Sequence, residues 1–426
     1  MKKCLVLFFS LFLFLGFAQV DTAQVVVSGR SNSVEAMNKP YVILISADGF
    51  RYDYAKKYGA KNLLALASKG VQAKAMVPSY PSVTGPNHYT LVTGMYPSHT
   101  GFVDNYFYDN QRKDDFSMSR AEKITDGSWL KGLPLWGLAE NHQTMAASLF
   151  WVASNGNAGG IRPSYYYPYH EKFDAKQRIS IVENWLKLPA EKRPHLITLY
   201  FYQVDKMGHL HGPDSNETKD AVLKVDQAVG ELVQRVNKLG LSNVNIIFVS
   251  DHGMLGVDLE NPLSIPEVLN DTDRFRFVNA QTLLRVQVKD PAQIYSTYKE
   301  LKRSQTKDYK VYLASRFPKR LHYRSGTDTF ASRMGDIYLV PKKGKVFLSK
   351  NDYKTPGKHG YDPRKVPEMK SVFYAIGPGF KKGKTIGEFK NVEIYGIVAD
   401  LLDLPYSHPI DGTHKTAKKV LVSESK

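Results

Sequence analysis

The sequence predicts an α/β fold: a doubly wound, mostly parallel sheet with helices on both faces and a smaller α+β subdomain inserted late in the chain. Three apolar runs predict it, at residues 41–46, 195–201 and 245–250. Each lacks the polar alternation of a half-exposed strand, as expected for strands buried on both faces of a parallel sheet. Each leads into an acid, Asp48, Asp205 and Asp251 respectively. Amphipathic helical stretches separate the runs, and sheets of this kind carry their sites at the strand C-terminal edge.

In order, residues 1–18 read as a secretory signal peptide. Lys2 and Lys3 form a basic start, an apolar run of about 13 residues follows, and Gly16 and Ala18 offer small residues for cleavage. That run is short for a membrane span. The expected location is periplasmic or secreted, with no transmembrane anchor after cleavage. The one cysteine, Cys4, falls in this segment. A mature chain without it has no disulfides, and any metal site must use His, Asp or Glu. Residues 19–38 are polar and read as a linker. The catalytic core is expected at 39–256 and 351–426, with the insertion at 257–350.

Within the core, strand 41–46 leads to a helix over 54–69, with Leu63, Leu64 and Leu66 inward and Gly70 as its stop. The turn Tyr80-Pro-Ser-Val-Thr84-Gly-Pro comes next. Its prolines and glycine bracket one threonine, which predicts a tight turn with the hydroxyl projecting. Pro86 suits a first helical turn, and a helix N-terminus stabilises anions. Residues 144–151 give a weaker strand signal, and 155–170, rich in Gly, Pro and Tyr, read as a loop. A helix at 174–188, strand 195–201, a helix at 218–239 and strand 245–250 follow. In the insertion, 275–278, 282–288 and 336–341 read as strands and 292–303 as a helix. The core resumes with a loop at 355–362, a strand at 371–376 and a helix at 392–402. The stretch from Gly377 to Thr385 imitates a phosphate loop, but Pro378 stands where that motif needs Gly, so it reads as a turn leaving a strand.

The chain is basic, with 58 Lys and Arg against 41 Asp and Glu, a formal charge of +17. Such a balance favours anionic substrates or surfaces. The cations are scattered, and no stable nucleic-acid complex is expected. Collecting the polar residues at strand ends and adjoining loops gives Asp48, Thr84, Asp205, His209, Asp251, His252 and His359. Three Asp and three His suit Zn²⁺ and similar ions. Asp205 and His209 are four apart across Gly208, spaced to meet one ion on a turn. Six ligands suffice for two ions, and a two-metal pair serves phosphoryl transfer and activates a hydroxyl nucleophile, here Thr84.

These segments resemble the nucleotide pyrophosphatase/phosphodiesterase family of the alkaline phosphatase superfamily. The resemblance rests on Ile45-Ser-Ala-Asp48-Gly-Phe-Arg, Pro81-Ser-Val-Thr84-Gly-Pro-Asn-His-Tyr, Asp104-Asn105, Val204-Asp205-Lys-Met-Gly-His209, Ser250-Asp-His-Gly-Met254 and Gly357-Lys-His359-Gly-Tyr. It implies an alkaline-phosphatase-like fold and two zinc ions, one on Asp205, His209 and His359, the other on Asp48, Asp251, His252 and Thr84. It implies a phosphothreonine formed at Thr84, with Asn105 donating to a phosphate oxygen. The expected substrate is a small phosphodiester or nucleotide. The family commonly places an aromatic ring after the nucleophile to stack on the base; Gly85 stands there instead, and Tyr167, Tyr169 and Tyr200 are candidate stacking surfaces. Two other readings stay open from sequence. One is a phosphomonoesterase using Arg162 or Lys206 on the terminal phosphate, and the other a non-catalytic polyanion-binding protein.

Overall fold

The structure, a computed structural model, describes residues 22–325 and 330–422, and the expected signal segment 1–18 lies outside them. A nine-stranded sheet forms its centre. In chain order its strands are β1 (Val25–Val26), β2 (Tyr41–Ala47), β3 (Val71–Ala73), β4 (Ala146–Leu149), β5 (Tyr165–Tyr167), β6 (Leu196–Phe201), β7 (Val244–Val249), β8 (Phe373–Ile376) and β9 (Lys384–Ile386). Side by side they run β1-β5-β4-β6-β2-β7-β8-β3-β9. From β5 to β7 the pairing is parallel throughout, while β8 enters antiparallel between β7 and β3. The three acid-ended strands β6, β2 and β7 are therefore immediate neighbours.

β2 shows why those runs are apolar at every position. Val42 and Leu44 join the core on one face, with Leu91 of helix Thr84–Thr93 and Ile397 of helix Ile394–Leu401. Ile43 and Ile45 join the other, with Leu63 of Lys61–Lys69, Val182 of Ala175–Leu186 and Val225 and Leu232 of Asn216–Lys238. Full burial of such a side chain contributes about 1.5–3 kcal/mol. Residues 275–341 contain a separate four-stranded antiparallel sheet, built from Phe275–Asn279, Leu284–Val288, Ile337–Pro341 and Tyr309–Leu313 in that spatial order. Helix Ile294–Arg303 packs on it.

Several expectations change. The chain from residue 22 to 38 is not a free linker: β1 pairs with Tyr165 and Tyr166, and buried Asn32 donates to the Ala190 and Arg193 carbonyls. Two residues of strand are too few to leave a periodic signal. The tyrosine-rich loop likewise contains β5, where Tyr165 and Tyr166 pair on both sides and Tyr167 on one. The helix expected over 54–69 is two helices, Tyr54–Tyr58 and Lys61–Lys69, because Gly59 adopts φ 70° and ends the first. Tyr309–Leu313 is an edge strand whose exposed Lys310 interrupts the apolar pattern. The stretch from Gly377 leads into β9, parallel to β3.

Candidate metal centre and nucleophile

Because β2 and β7 are adjacent and in register to their ends, Asp48 and Asp251 emerge side by side. The third acid comes from the helix Gln203–His211 that follows β6. The turn expected for Asp205 and His209 is thus helical, and the i, i+4 spacing puts both side chains on one face. Gly49, at φ 69°, is needed because a Cβ there would lie 2.9 Å from Asp205 Cα. On the opposite side, a Cβ on Gly357 would lie 2.0 Å from the Gly208 carbonyl oxygen, so the short strand Gly357–Lys358 that leads into His359 can press against this helix.

The result is two groups of three, Asp205 with His209 and His359, and Asp48 with Asp251 and His252, the candidate ligand atoms of each lying within 4.8 Å of one another. The groups abut, with the His252 and His359 rings stacked at 3.6 Å. The three histidines each spend Nδ1 on a backbone carbonyl: His209 on Gly357 at 2.8 Å, His359 on Ser82 at 2.9 Å and His252 on Gly253 at 2.9 Å. Those bonds place the proton on Nδ1 and leave each Nε2 lone pair facing the centre, the usual arrangement behind metal-bound imidazoles. His209 Nε2 and His359 Nε2 are 3.1 Å apart.

The donor set fits divalent cations. Asp48 Oδ1, Asp205 Oδ1 and Asp251 Oδ2 find no hydrogen-bond donor among the described residues. Buried acceptors are rarely left so, and two lone pairs of neighbouring imidazoles meeting head-on repel without a positive centre between them. Burial, with Asp251 and Asp205 nearby, pushes the Asp48 carboxyl well above its ordinary value. Burial would also raise Asp251, but the imidazoles of His252 and His88 hold it far below the ordinary range. Burial, then His252 and His209, keeps His359 well below the usual imidazole value and so neutral near pH 7.

Thr84 is the first residue of its helix, and its hydroxyl lies 3.2 Å from His252 Nε2. Asn105 Oδ1 accepts the Gly85 N–H at 2.8 Å. All seven residues singled out in sequence, and Asn105, are thus brought together. Of the three tyrosines, Tyr200 joins them, though not as a stacking surface. Tyr200 is buried and donates to Asp48 Oδ2 at 2.6 Å, so it supports that carboxylate rather than offering a free face. Tyr167 packs among Phe150, Phe173 and Trp185. Tyr169 alone of the three is exposed, at 47%, with its ring 6.0 Å from that of Tyr200.

His88 escaped the sequence reading. Fully buried, it lies 3.3 Å from Asp251 Oδ2, 3.0 Å from the Thr84 carbonyl oxygen and 2.8 Å from Ser46 Oγ. Its position four residues after Thr84, on a helix Pro86 had already announced, was the available signal. Gly85 has a packing reason as well. A Cβ there would lie 2.4 Å from the buried Phe102 ring and 2.9 Å from Asn105 Oδ1. Gly85→Ala is expected to cost about 1–3 kcal/mol through overpacking, read as a lower denaturant midpoint with unchanged slope.

Comparison with known proteins fixes first the class and then the family. The fold matches that of murine ectonucleotide pyrophosphatase/phosphodiesterase 5, solved as an inactive threonine-to-alanine variant with AMP, at TM-score 0.82 and 26% identity, covering 90% of this chain and all of that one. The architecture is therefore that of an alkaline-phosphatase-like α/β hydrolase, the class to which a strand-end Asp/His centre facing a helix-borne hydroxyl also points. The chain belongs to the type I phosphodiesterase / nucleotide pyrophosphatase family, whose model matches residues 42–362. An uncharacterised pyrophosphatase/phosphodiesterase of Schizosaccharomyces pombe is 34% identical over 92% of this chain and 82% of its own length. Mouse ectonucleotide pyrophosphatase/phosphodiesterase family member 1 is 34% identical over 90% of this chain, and Naja atra venom phosphodiesterase 32% over 92%. The chain spans only 43% and 48% of those two relatives.

Proposed function

We propose that this chain is a zinc-dependent phosphodiesterase and nucleotide pyrophosphatase that works through a phosphothreonine at Thr84. The observation that carries the reading is the Thr84 hydroxyl, seated at a helix N-terminus and 3.2 Å from His252 where the two Asp/His groups meet. Two Zn²⁺ ions on those groups, one held by Asp205, His209 and His359 and the other by Asp48, Asp251 and His252, would acidify a hydroxyl and offset phosphoryl charge. Thr84 Oγ1 attacks phosphorus and gives its proton to solvent, and the bond to the leaving oxygen breaks as the Oγ1–P bond forms, the leaving group taking up a proton from solvent as needed. Water then cleaves the phosphothreonine and restores the hydroxyl. The Asn105 carboxamide uses its oxygen on Gly85, so its NH₂ remains to donate to a non-bridging phosphate oxygen. The partial positive charge of the helix Thr84–Thr93 N-terminus favours the same anion.

The family and the names of its nucleotide-acting members support a nucleotide substrate, as does the neighbour solved with AMP. Tyr169 is the face available to a base, and Tyr169→Ala is expected to raise KM for a nucleotide diester about tenfold with kcat held within about twofold, since stacking contributes about 1–3 kcal/mol per base. Equal KM values in the two proteins would remove Tyr169 from the binding surface. The cations a monoesterase would need are engaged elsewhere: Lys206 pairs with Glu171 at 2.5 Å, and Arg162 donates to the Asn155 carbonyl at 3.1 Å. A nitrophenyl nucleotide diester is therefore expected to turn over faster than nitrophenyl phosphate on zinc-loaded protein, and the reverse order overturns the diesterase reading. Export fits residues 1–18 and the venom relatives. Among the described residues no helix is long and apolar enough to cross a membrane.

A further inference from the structure

The insertion reaches the nucleophile through a buried guanidinium. Arg285 lies on strand Leu284–Val288 and is 2% exposed. Its Nη2 stands 3.1 Å from Asp104 Oδ2 and donates to the Tyr106 carbonyl at 2.6 Å, so it grips the residues on either side of Asn105. The other oxygen of Asp104 accepts the Asn105 N–H at 2.7 Å. Asn105 in turn takes the Gly85 N–H, which turns its NH₂ away from that bond. Arg333, at the far end of the insertion, holds the ends of the same segment. It donates from Nη1 to the Gly101 carbonyl at 2.9 Å and from Nε to Asp109 Oδ2 at 2.7 Å. The Asn105 segment is thus fixed by two buried arginines from the insertion.

We propose that Arg285 is a positioning residue for the phosphoryl transfer, acting from the insertion through Asp104 to set the Asn105 amide beside Thr84. The proposal rests on the reading that Thr84 and Asn105 act on phosphorus. Nη2 alone serves both the Asp104 carboxylate and the Tyr106 carbonyl, held there by the rigid plane of the guanidinium, whereas a lysine presents one point charge on a flexible stem. Arg285→Lys therefore keeps the charge and loosens the geometry, and a displacement of about 1 Å at a reacting group can cost about 10²-fold in rate. The competing account is a staple that holds the insertion to the core and does nothing for the chemistry.

A double-mutant cycle between Arg285→Lys and Asn105→Ala separates the two, with kcat and KM measured on a nitrophenyl nucleotide diester and metal content and melting temperature recorded for each protein. The expected result is a fall in kcat of about 10–100-fold for Arg285→Lys, with KM within about threefold and metal content unchanged. In the Asn105→Ala background the same replacement should cost less than about twofold, because the group it positions is gone. Equal losses in both backgrounds overturn the proposal and leave the staple. Asp104→Asn carries the same cycle if Arg285→Lys does not fold. Where wild type turns over the diester and Asn105→Ala is impaired, an additive cycle removes only the positioning role; a wild type without hydrolysis, or an unimpaired Asn105→Ala, overturns the functional reading and this one together.

Discussion

Thr84→Ala is expected to fold, keep its metal and lose turnover of a nucleotide diester by about 10⁴-fold or more, the scale on which removal of a nucleophile acts. The structural cost is small. Among the described residues the hydroxyl has one side-chain hydrogen-bond partner, His252, and losing one hydrogen bond of this kind costs about 1 kcal/mol. The chemical cost is large because no neighbouring hydroxyl replaces it. Ser82 lies two residues away, but its Oγ is already engaged, donating to the Tyr361 carbonyl at 2.8 Å and accepting the Gly360 N–H at 3.1 Å. Thr84→Ser, which keeps the hydroxyl on a smaller side chain, should retain part of the rate and trap a phosphoserine on rapid acid quench. Thr84→Ala hydrolysing the diester at the wild-type rate would rule out a covalent step at this residue and leave direct attack by water.

Stripping divalent ions with a chelator should remove activity, and zinc should restore it, with about two ions per chain at full recovery. The same treatment should lower the melting temperature. Three carboxylate oxygens without donors, on Asp48, Asp205 and Asp251, then stay close together with nothing to offset their charge. The pH dependence follows from Asp48, whose carboxyl burial and the neighbouring Asp251 and Asp205 raise well above 3.8. Its folded-state pKa lies above the unfolded one, so the metal-free protein binds a proton here more readily folded than unfolded. Stability from this group is full below the unfolded value and is lost as pH rises through the folded value. Asp48 by itself therefore makes chelation more damaging as pH rises, while His359, whose folded-state value lies below the unfolded one, works the other way as pH falls through the unfolded imidazole value. Metal affinity moves the other way with acid: an incoming ion must displace the Asp48 proton, and below the raised pKa affinity should fall by about tenfold per pH unit. Titration calorimetry with zinc across that range reads the slope. Activity and melting temperature both indifferent to the chelator would overturn the metal centre.

What was legible in the sequence is what local chemistry specifies. Buried parallel strands must be apolar on both faces, so β2, β6 and β7 announced themselves, and a carboxylate directly after such a strand has few purely structural uses. Spacing of four residues is a helical signal, and Asp205 and His209, expected on a turn, share one face of the helix Gln203–His211. A Cβ on Gly208 would lie 3.2 Å from the Met254 side chain, while the close approach of the two segments depends on Gly357, whose Cβ would lie 2.0 Å from the Gly208 carbonyl oxygen. β1 and β5 were not legible because a strand of two or three residues carries no period of its own, and β1 finds its partner some 140 residues away in the chain.

The candidate site divides along the same line. The sequence by itself determined the residue types, the family motifs and the hydroxyl that would react, because each depends on a few consecutive residues. Tertiary structure alone decided that β6, β2 and β7 are neighbours, that two triads abut through His252 and His359, and that Tyr200 serves Asp48 while Tyr169 faces solvent. It alone decided that Phe102 fills the space beside Gly85 and that Arg285 reaches Asp104 and Tyr106, the neighbours of Asn105, from some 180 residues away in the chain. These are contacts between distant segments, fixed by how helices and insertion pack on the sheet, and no local pattern encodes a distance across the fold.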